Sequence, residues 1–350
     1  MRIVVTGATG NVGTSVLRAL IADESVESIG GIARRRPEWS PEKVEWIEAD
    51  VATDSLAGHL RGADVVIHLA WAIQPSRDEV TTRRINVEGS ERVFAAVAEA
   101  GVSALVYASS VGAYSPRDAL DTRVDELWPT GGIDSSFYSR HKSMVEMSLD
   151  RFETEHPEVR VVRLRPALIF KGEAGSEIRR LFGGPLVPSR LLEPGRLPAA
   201  PWISGLRTQA VHTDDVAEAY RLAALGDSRG AFNLAAEPIL DAESLGEALG
   251  ARVVPLPGRV VRALASLSWD LRLQPTPPGW VDMGIRSPLM NTTRAREELG
   301  WEPRRSSAEA IRAVLEGMAS GRDEATPPLD VKAGGPLRFR EFLTGLGGRN

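Results

Sequence analysis

Thr6-Gly7-Ala8-Thr9-Gly10-Asn11-Val12-Gly13 follows a short apolar run at residues 2–5 and leads into an amphipathic stretch. A glycine-rich turn that ends a strand and opens a helix can seat a dinucleotide pyrophosphate. Gly7 permits the tight turn, Gly10 lets the backbone approach the phosphates, and Gly13 allows the helix to pack closely on the sheet. Thr9, Asn11 and Val12 complete the candidate cradle, where free N–H groups and the helix dipole favour anions. The plainer alternative is a glycine-rich turn that binds nothing.

Outward from this turn, short apolar runs alternate with amphipathic stretches. Residues 2–5, 29–33, 44–47, 63–69, 104–108 and 159–164 read as strands, and 13–22, 88–100 and 136–151 as helices. Near-continuous apolar strands between helices imply a parallel sheet buried on both faces. The fold expected is therefore α/β, a Rossmann-type doubly wound sheet with a smaller α/β C-terminal substrate domain. Residues 1–166 plus 207–236 form the dinucleotide-binding part in this reading. Residues 167–206 plus 237–317 form the substrate region, with 183–206 dense in Pro, Gly, Leu and Arg, and 318–350 an extended arm. A helix is expected to start near Gln209 and a strand at 231–236, and no internal repeat is found.

The 350 residues are 43% hydrophobic and 25% charged, the balance of an ordinary globule, and the net charge of -5 argues against a general nucleic-acid surface. With no cysteine, a reducing compartment is expected, and the five histidines show no close-paired spacing for a metal. The start lacks the apolar region of a signal peptide, and no uninterrupted apolar run reaches membrane-spanning length. A cytoplasmic protein without a metal, membrane or nucleic-acid partner is expected.

The second strand ends in Arg34-Arg35-Arg36, with no carboxylate, about 20 residues after the glycine turn, where the ribose is read. Guanidinium groups fit phosphate oxygens, so Arg34 and Arg35 point to NADP, with NAD the second choice. A solvated basic loop is the alternative. Asp50 and Val51, after the third strand, are placed to meet the adenine, and Leu69 and Ala70, after the fourth, the middle of the cofactor.

Tyr138 and Lys142 lie four residues apart and share a helix face. A free phenol titrates near about 10 and exchanges protons poorly at neutral pH. Lys142 is expected to lower that value, two units requiring roughly 2.7 kcal/mol, while its other donors reach ribose hydroxyls. Tyr138 would then act as general acid in reduction or general base in oxidation. A serine at the end of the 104–108 strand, Ser109 or Ser110, would hold the substrate oxygen. Taken alone, the Tyr/Lys spacing also fits a surface helix pair.

These motifs, with His68-Leu69-Ala70, Asn86-Val87-Glu88-Gly89, Arg165-Pro166, Val211-His212-Thr213-Asp214-Asp215-Val216 and Leu299-Gly300-Trp301-Glu302-Pro303, resemble the extended short-chain dehydrogenase/reductase family, including NAD(P)-dependent epimerases and dehydratases. The resemblance runs from Met1 to about Pro303. It implies that Ser110 is the catalytic serine, with Ser109 on the cofactor side and Asn86 supporting the site. It implies that Pro166, Ala167 and Ile169 line the nicotinamide pocket, and often a homodimer formed through helices. Asp214 and Asp215 are expected to cap the helix they precede.

The departures bear on chemistry. Dehydratases of this family carry an Asp-Glu pair where Val111-Gly112 stands, and sugar-nucleotide epimerases usually offer an Asn after Arg-Pro, where this chain has Ala167-Leu168-Ile169. Trp71 replaces a small residue and would narrow the pocket, so Trp71 and Val111 are candidate substrate contacts with Ser110. Trp202, Trp269 and Trp280 would line an apolar cavity or sit in the core. The leading reading is an oxidoreductase moving hydride between nicotinamide and a small molecule with a carbonyl or secondary alcohol. A nucleotide-sugar epimerase with retained NAD, and a non-enzymatic dinucleotide sensor, are the alternatives.

Overall fold

The computed structural model describes residues 1–73, 77–178, 198–274, 276–321, 326 and 328–329. Its centre is a seven-stranded sheet of β1 (Arg2–Thr6), β2 (Ser28–Ala33), β3 (Val44–Glu48), β4 (Val65–His68), β5 (Ala104–Ala108), β6 (Arg160–Pro166) and β7 (Gly230–Leu234). The spatial order is β7-β6-β5-β4-β1-β2-β3 and every pairing is parallel. The order reverses between β1 and β4, which opens a crevice at their carboxyl ends. This is the Rossmann-type α/β fold expected.

Side-chain alternation divides the apolar strands between two cores. Ile3, Val5, Val65, Ile67, Val106 and Val162 face the helices Asn11–Ile21 and Thr213–Leu225. Val4, Val66, Leu105 and Val161 face the helices Gly89–Ala100 and Phe137–Glu155. A period of two within an all-apolar run is what a sheet covered on both faces requires.

Outside the sheet, three short parallel pairs join distant segments: Leu168–Phe170 with Ala210–His212, Ala199–Ile203 with Arg252–Leu256, and Arg123–Val124 with Leu289–Met290. The helix expected from Gln209 begins at Thr213, because residues 210–212 are taken up as a strand. The helix Ser307–Ser320 carries the chain past Met318, where an extended arm was expected. A capping box of Ser306 and Glu309 starts it and Gly321, at φ 65°, ends it. Residues 330–350 of that expected arm, and residues 179–197 of the expected substrate region, lie outside the described residues. No helix among the described residues is long and apolar enough to cross a membrane.

Candidate active site

The glycine turn is shaped by contacts that exclude side chains. Gly7 has φ +68°, and a Cβ there would lie 2.7 Å from the Ala70 nitrogen, against Leu69-Ala70 at the end of β4. A Cβ on Gly13 would lie 2.4 Å from the Gly7 carbonyl oxygen. At Gly10 the nearest atom would stand at 3.4 Å, so that side of the turn is open. Gly10 is the N-cap of the helix Asn11–Ile21, with no capping side chain and no acidic residue in the first turn. Its leading amides are thus left for an anion, and the turn fits a dinucleotide pyrophosphate. Thr9 is buried, Val12 packs against the core, and Asn11 accepts a hydrogen bond from the Thr213 hydroxyl at 3.2 Å.

Arg34 and Arg35 are exposed just beyond β2, and Asp50 and Val51 follow β3, with Val51 buried. The carboxyl end of β4 is held by side-chain hydrogen bonds. His68 bridges the hydroxyls of Thr6 (2.6 Å) and Ser90 (2.9 Å), and burial pushes its pKa down to about 3. His68 is therefore a neutral structural group.

Ser110 ends the chain's exit from β5. Its hydroxyl accepts from the Gly112 N–H at 3.0 Å and lies near enough to the Tyr138 phenol to lower its pKa. The helix Phe137–Glu155 presents Tyr138 to it, started by Ser136, whose hydroxyl accepts from the Ser139 N–H. A Cβ at position 112 would stand 2.9 Å from the Tyr138 ring and 3.3 Å from the Met283 sulfur. The Glu that dehydratases would place at position 112 therefore has no room without displacing the phenol. Trp280 lies against the other side of Tyr138, ring centroids 5.2 Å apart, and Trp71 meets it edge-on at 5.9 Å.

Lys142 is buried, and its ammonium donates to the Ala108 carbonyl at 2.6 Å and sits 3.5 Å from the Trp71 ring centre. It stands 5.9 Å from the Tyr138 ring centre. The expected lowering of the phenol's pKa by Lys142 is absent from this arrangement. Burial pushes Tyr138 up to about 12, opposed only by the Ser110 hydrogen bond. Burial likewise pulls Lys142 well below its ordinary range, with Glu146 opposing.

Glu146, one turn beyond Lys142, is a functional neighbour that sequence reasoning missed. It accepts from Ser109 at 2.5 Å, from Arg165 at 2.8 and 2.9 Å, and from Arg163 at 3.0 Å. Burial raises its carboxyl, yet Arg165, Arg163 and Ser109 hold it at about 2. Ser109 is thus committed to this ion cluster, while Ser110 meets Tyr138. The i, i+4 spacing from Lys142 and the Arg165-Pro166 motif were the available signals.

Asn86 lies in a π-helical turn, Arg84–Glu88, and clamps the backbone of Ala72, accepting from its N–H at 2.7 Å and donating to its carbonyl at 3.1 Å. Pro166 ends β6, Ala167 is buried, and Ile169 lies in the adjoining Leu168–Phe170 strand. Val111 packs beside Tyr114, whose hydroxyl receives a bond from Arg165 at 3.1 Å. The helix expected to be capped by Asp214 and Asp215 is capped instead by His212, whose ring accepts from the Asp214 N–H at 3.2 Å. The reason is that the helix begins at Thr213, which places both aspartates inside its first turn rather than before it. Asp215 accepts the Arg305 N–H and, through its carbonyl, the Trp301 indole. Trp269 and Trp280 do share a cavity of about 300 Å³, but Arg77, Glu79 and Arg140 also line it, so its wall is mixed rather than apolar. Trp202 lies apart, donating to the Leu206 carbonyl.

Residues 3–235 match the model of the NAD dependent epimerase/dehydratase family. The chain belongs to that family. It is 28% identical over 315 residues to an uncharacterized Mycobacterium tuberculosis protein, covering 89% of this chain but 29% of that one. The chain thus spans under a third of the length of the first curated relatives it matches. It is also 28% identical over 337 residues to the UDP-glucose 4-epimerase of Mycolicibacterium smegmatis, covering 90% of this chain and 98% of that one. Among solved structures, the UDP-glucose 4-epimerase of Thermotoga maritima with UDP-glucose shares the fold at a TM-score of 0.68 and 21% identity, covering 92% and 99% of the two chains. The protein MoeE5 in complex with UDP-glucose and NAD gives 0.68 at 20% identity over 92% and 99%.

Proposed function

We propose that this chain is a nicotinamide-dependent oxidoreductase acting on a carbonyl or secondary alcohol, with Tyr138 as the acid/base. The observation that carries the reading is the packing of the Ser110–Gly112 turn and of Lys142 around the Tyr138 ring, beside Trp71, which follows Leu69-Ala70 and the glycine turn they meet. A dinucleotide would be held by Gly7, Thr9, Gly10, Asn11, Val12 and Gly13, by Asp50 and Val51, and by Pro166, Ala167 and Ile169 on the nicotinamide side. Bound there, the nicotinamide supplies or accepts the hydride. Exposed Arg34 and Arg35 favour the 2′-phosphate of NADP, with NAD second.

Ser110 orients the substrate oxygen and donates to the charge that develops on it. The Tyr138 phenol carries the proton that a carbonyl oxygen receiving hydride takes up, and takes it back in the oxidation of an alcohol. Substrate, cofactor preference and direction are tested together by following NADPH and NADH consumption over a panel of ketones and aldehydes. Turnover by the wild type that Tyr138→Phe abolishes supports the reading, and full turnover in that variant removes it.

The full-length likeness to a UDP-glucose 4-epimerase favours a second reading, hydride removal and return on a nucleotide sugar. It predicts NAD released on denaturing the purified protein, with no net nicotinamide consumption.

A further inference from the structure

We propose that Trp71 is a positioning residue for Lys142, and that its indole and the nicotinamide-side ribose hydroxyls compete for the same ammonium. The inference rests on the nicotinamide reading above. Lys142 has three donors. One goes to the Ala108 carbonyl at 2.6 Å, and the ammonium lies 3.5 Å from the Tyr107 hydroxyl. The remaining direction is covered by the Trp71 ring, 3.5 Å from the ammonium to the ring centre. A cation packed this closely on an indole, away from water, is a favourable contact. A ribose diol that takes a donor from Lys142 must therefore take it from the indole face.

Three further observations fit an indole built to leave. Its Nε1–H is buried without a hydrogen-bond partner, a cost that is relieved when the ring turns out. The backbone on each side is pinned, Ala70 to the Thr6 hydroxyl at 3.3 Å and Ala72 to Asn86 through both of its polar groups. Displacement is thus a side-chain rotation, with no loop movement required. The same ring touches Tyr138 edge-on, so its position reports on the whole Tyr138/Lys142 pair.

The test compares binding of NAD+ and NADP+ with binding of ADP and 2′-phospho-ADP, which lack the nicotinamide ribose, by calorimetry on the full chain. Trp71→Ala is expected to bind the dinucleotides about tenfold more tightly, with both ADP forms unchanged within about twofold. Trp71→Phe keeps an aromatic face and is expected to fall between, which also guards against a misfolded alanine variant. Dinucleotide should shift the tryptophan emission of the wild type, ADP should not, and the shift should be missing in Trp71→Phe. Dinucleotide binding that Trp71→Ala leaves unchanged or weakened, or an equal change for ADP, overturns the inference alone. Failure of the wild type to bind any of the four overturns the nicotinamide reading and the inference with it.

Discussion

At the scale of single residues, the site is decided by what a side chain touches rather than by its type. Tyr138 lies beside Ser110 and packs against Trp71 and Trp280, while Lys142 turns its ammonium to the Ala108 carbonyl and the Trp71 ring. Replacing the phenol by phenylalanine keeps the ring contacts and removes only the proton. Tyr138→Phe should therefore lose roughly 10²- to 10⁴-fold in turnover while binding cofactor normally, measured by steady-state rates beside a nicotinamide fluorescence titration. Gly13→Ala presents opposed effects. Alanine gains about 1 kcal/mol of helix propensity. Its Cβ, however, would stand 2.4 Å from the Gly7 carbonyl oxygen, backbone that has no easy escape. Sterics should win, costing about 1–3 kcal/mol and weakening dinucleotide binding. A variant as stable and as tightly binding as the wild type would refute that contact.

At the scale of elements, much was legible before any coordinates. The runs at 2–5 and 104–108 declared themselves as buried strands, and the 136–151 pattern declared the helix that carries Tyr138 and Lys142. The helix period also put Glu146 on the Lys142 face, but nothing local said that Arg163 and Arg165 would meet it from β6. That pairing depends on β5 and β6 lying side by side, a tertiary fact. The aspartates at 214 and 215 misled for the same reason: the strand 210–212 ends where it pairs with 168–170, and this fixes the helix start. Glu146→Gln leaves the buried Arg165 guanidinium without its carboxylate, while Arg163 keeps Asp150 and Glu153. It should cost about 3–5 kcal/mol in urea denaturation, against about 1 kcal/mol for Ser109→Ala, which removes one neutral donor. Equal losses would mean the ion cluster does not anchor β5 to the helix.

At the scale of the whole molecule, the crevice between β1 and β4 followed from the alternation of strands and helices, whereas the second half followed from little. Its short strands pair with partners far away in sequence, and Trp269 and Trp280 share their cavity with Arg77 and Arg140 rather than with apolar chains. Burial also sets a pH dependence of stability. His68 titrates near 3 when folded and near 6.5 when unfolded, so below 6.5 the unfolded chain binds the extra proton. Its contribution is complete above that pH and is lost progressively as pH falls toward 3. Burial lowers His141 in the same sense, to about 4. Glu146, held at about 2, adds a loss that begins below its unfolded value of 4.5. The melting temperature should fall from pH 7 to pH 5 and more steeply below 4.5; a flat profile would contradict the buried neutral histidines. A nicotinamide dinucleotide laid across the glycine turn should reach the Tyr138 site. Titration of the purified protein with NADPH and NADH, followed by nicotinamide fluorescence in wild type and Arg34→Ala, is the decisive measurement. Saturable binding is expected, with NADPH preferred and the preference lost in the variant, whereas absence of binding by either nucleotide would refute the dinucleotide site.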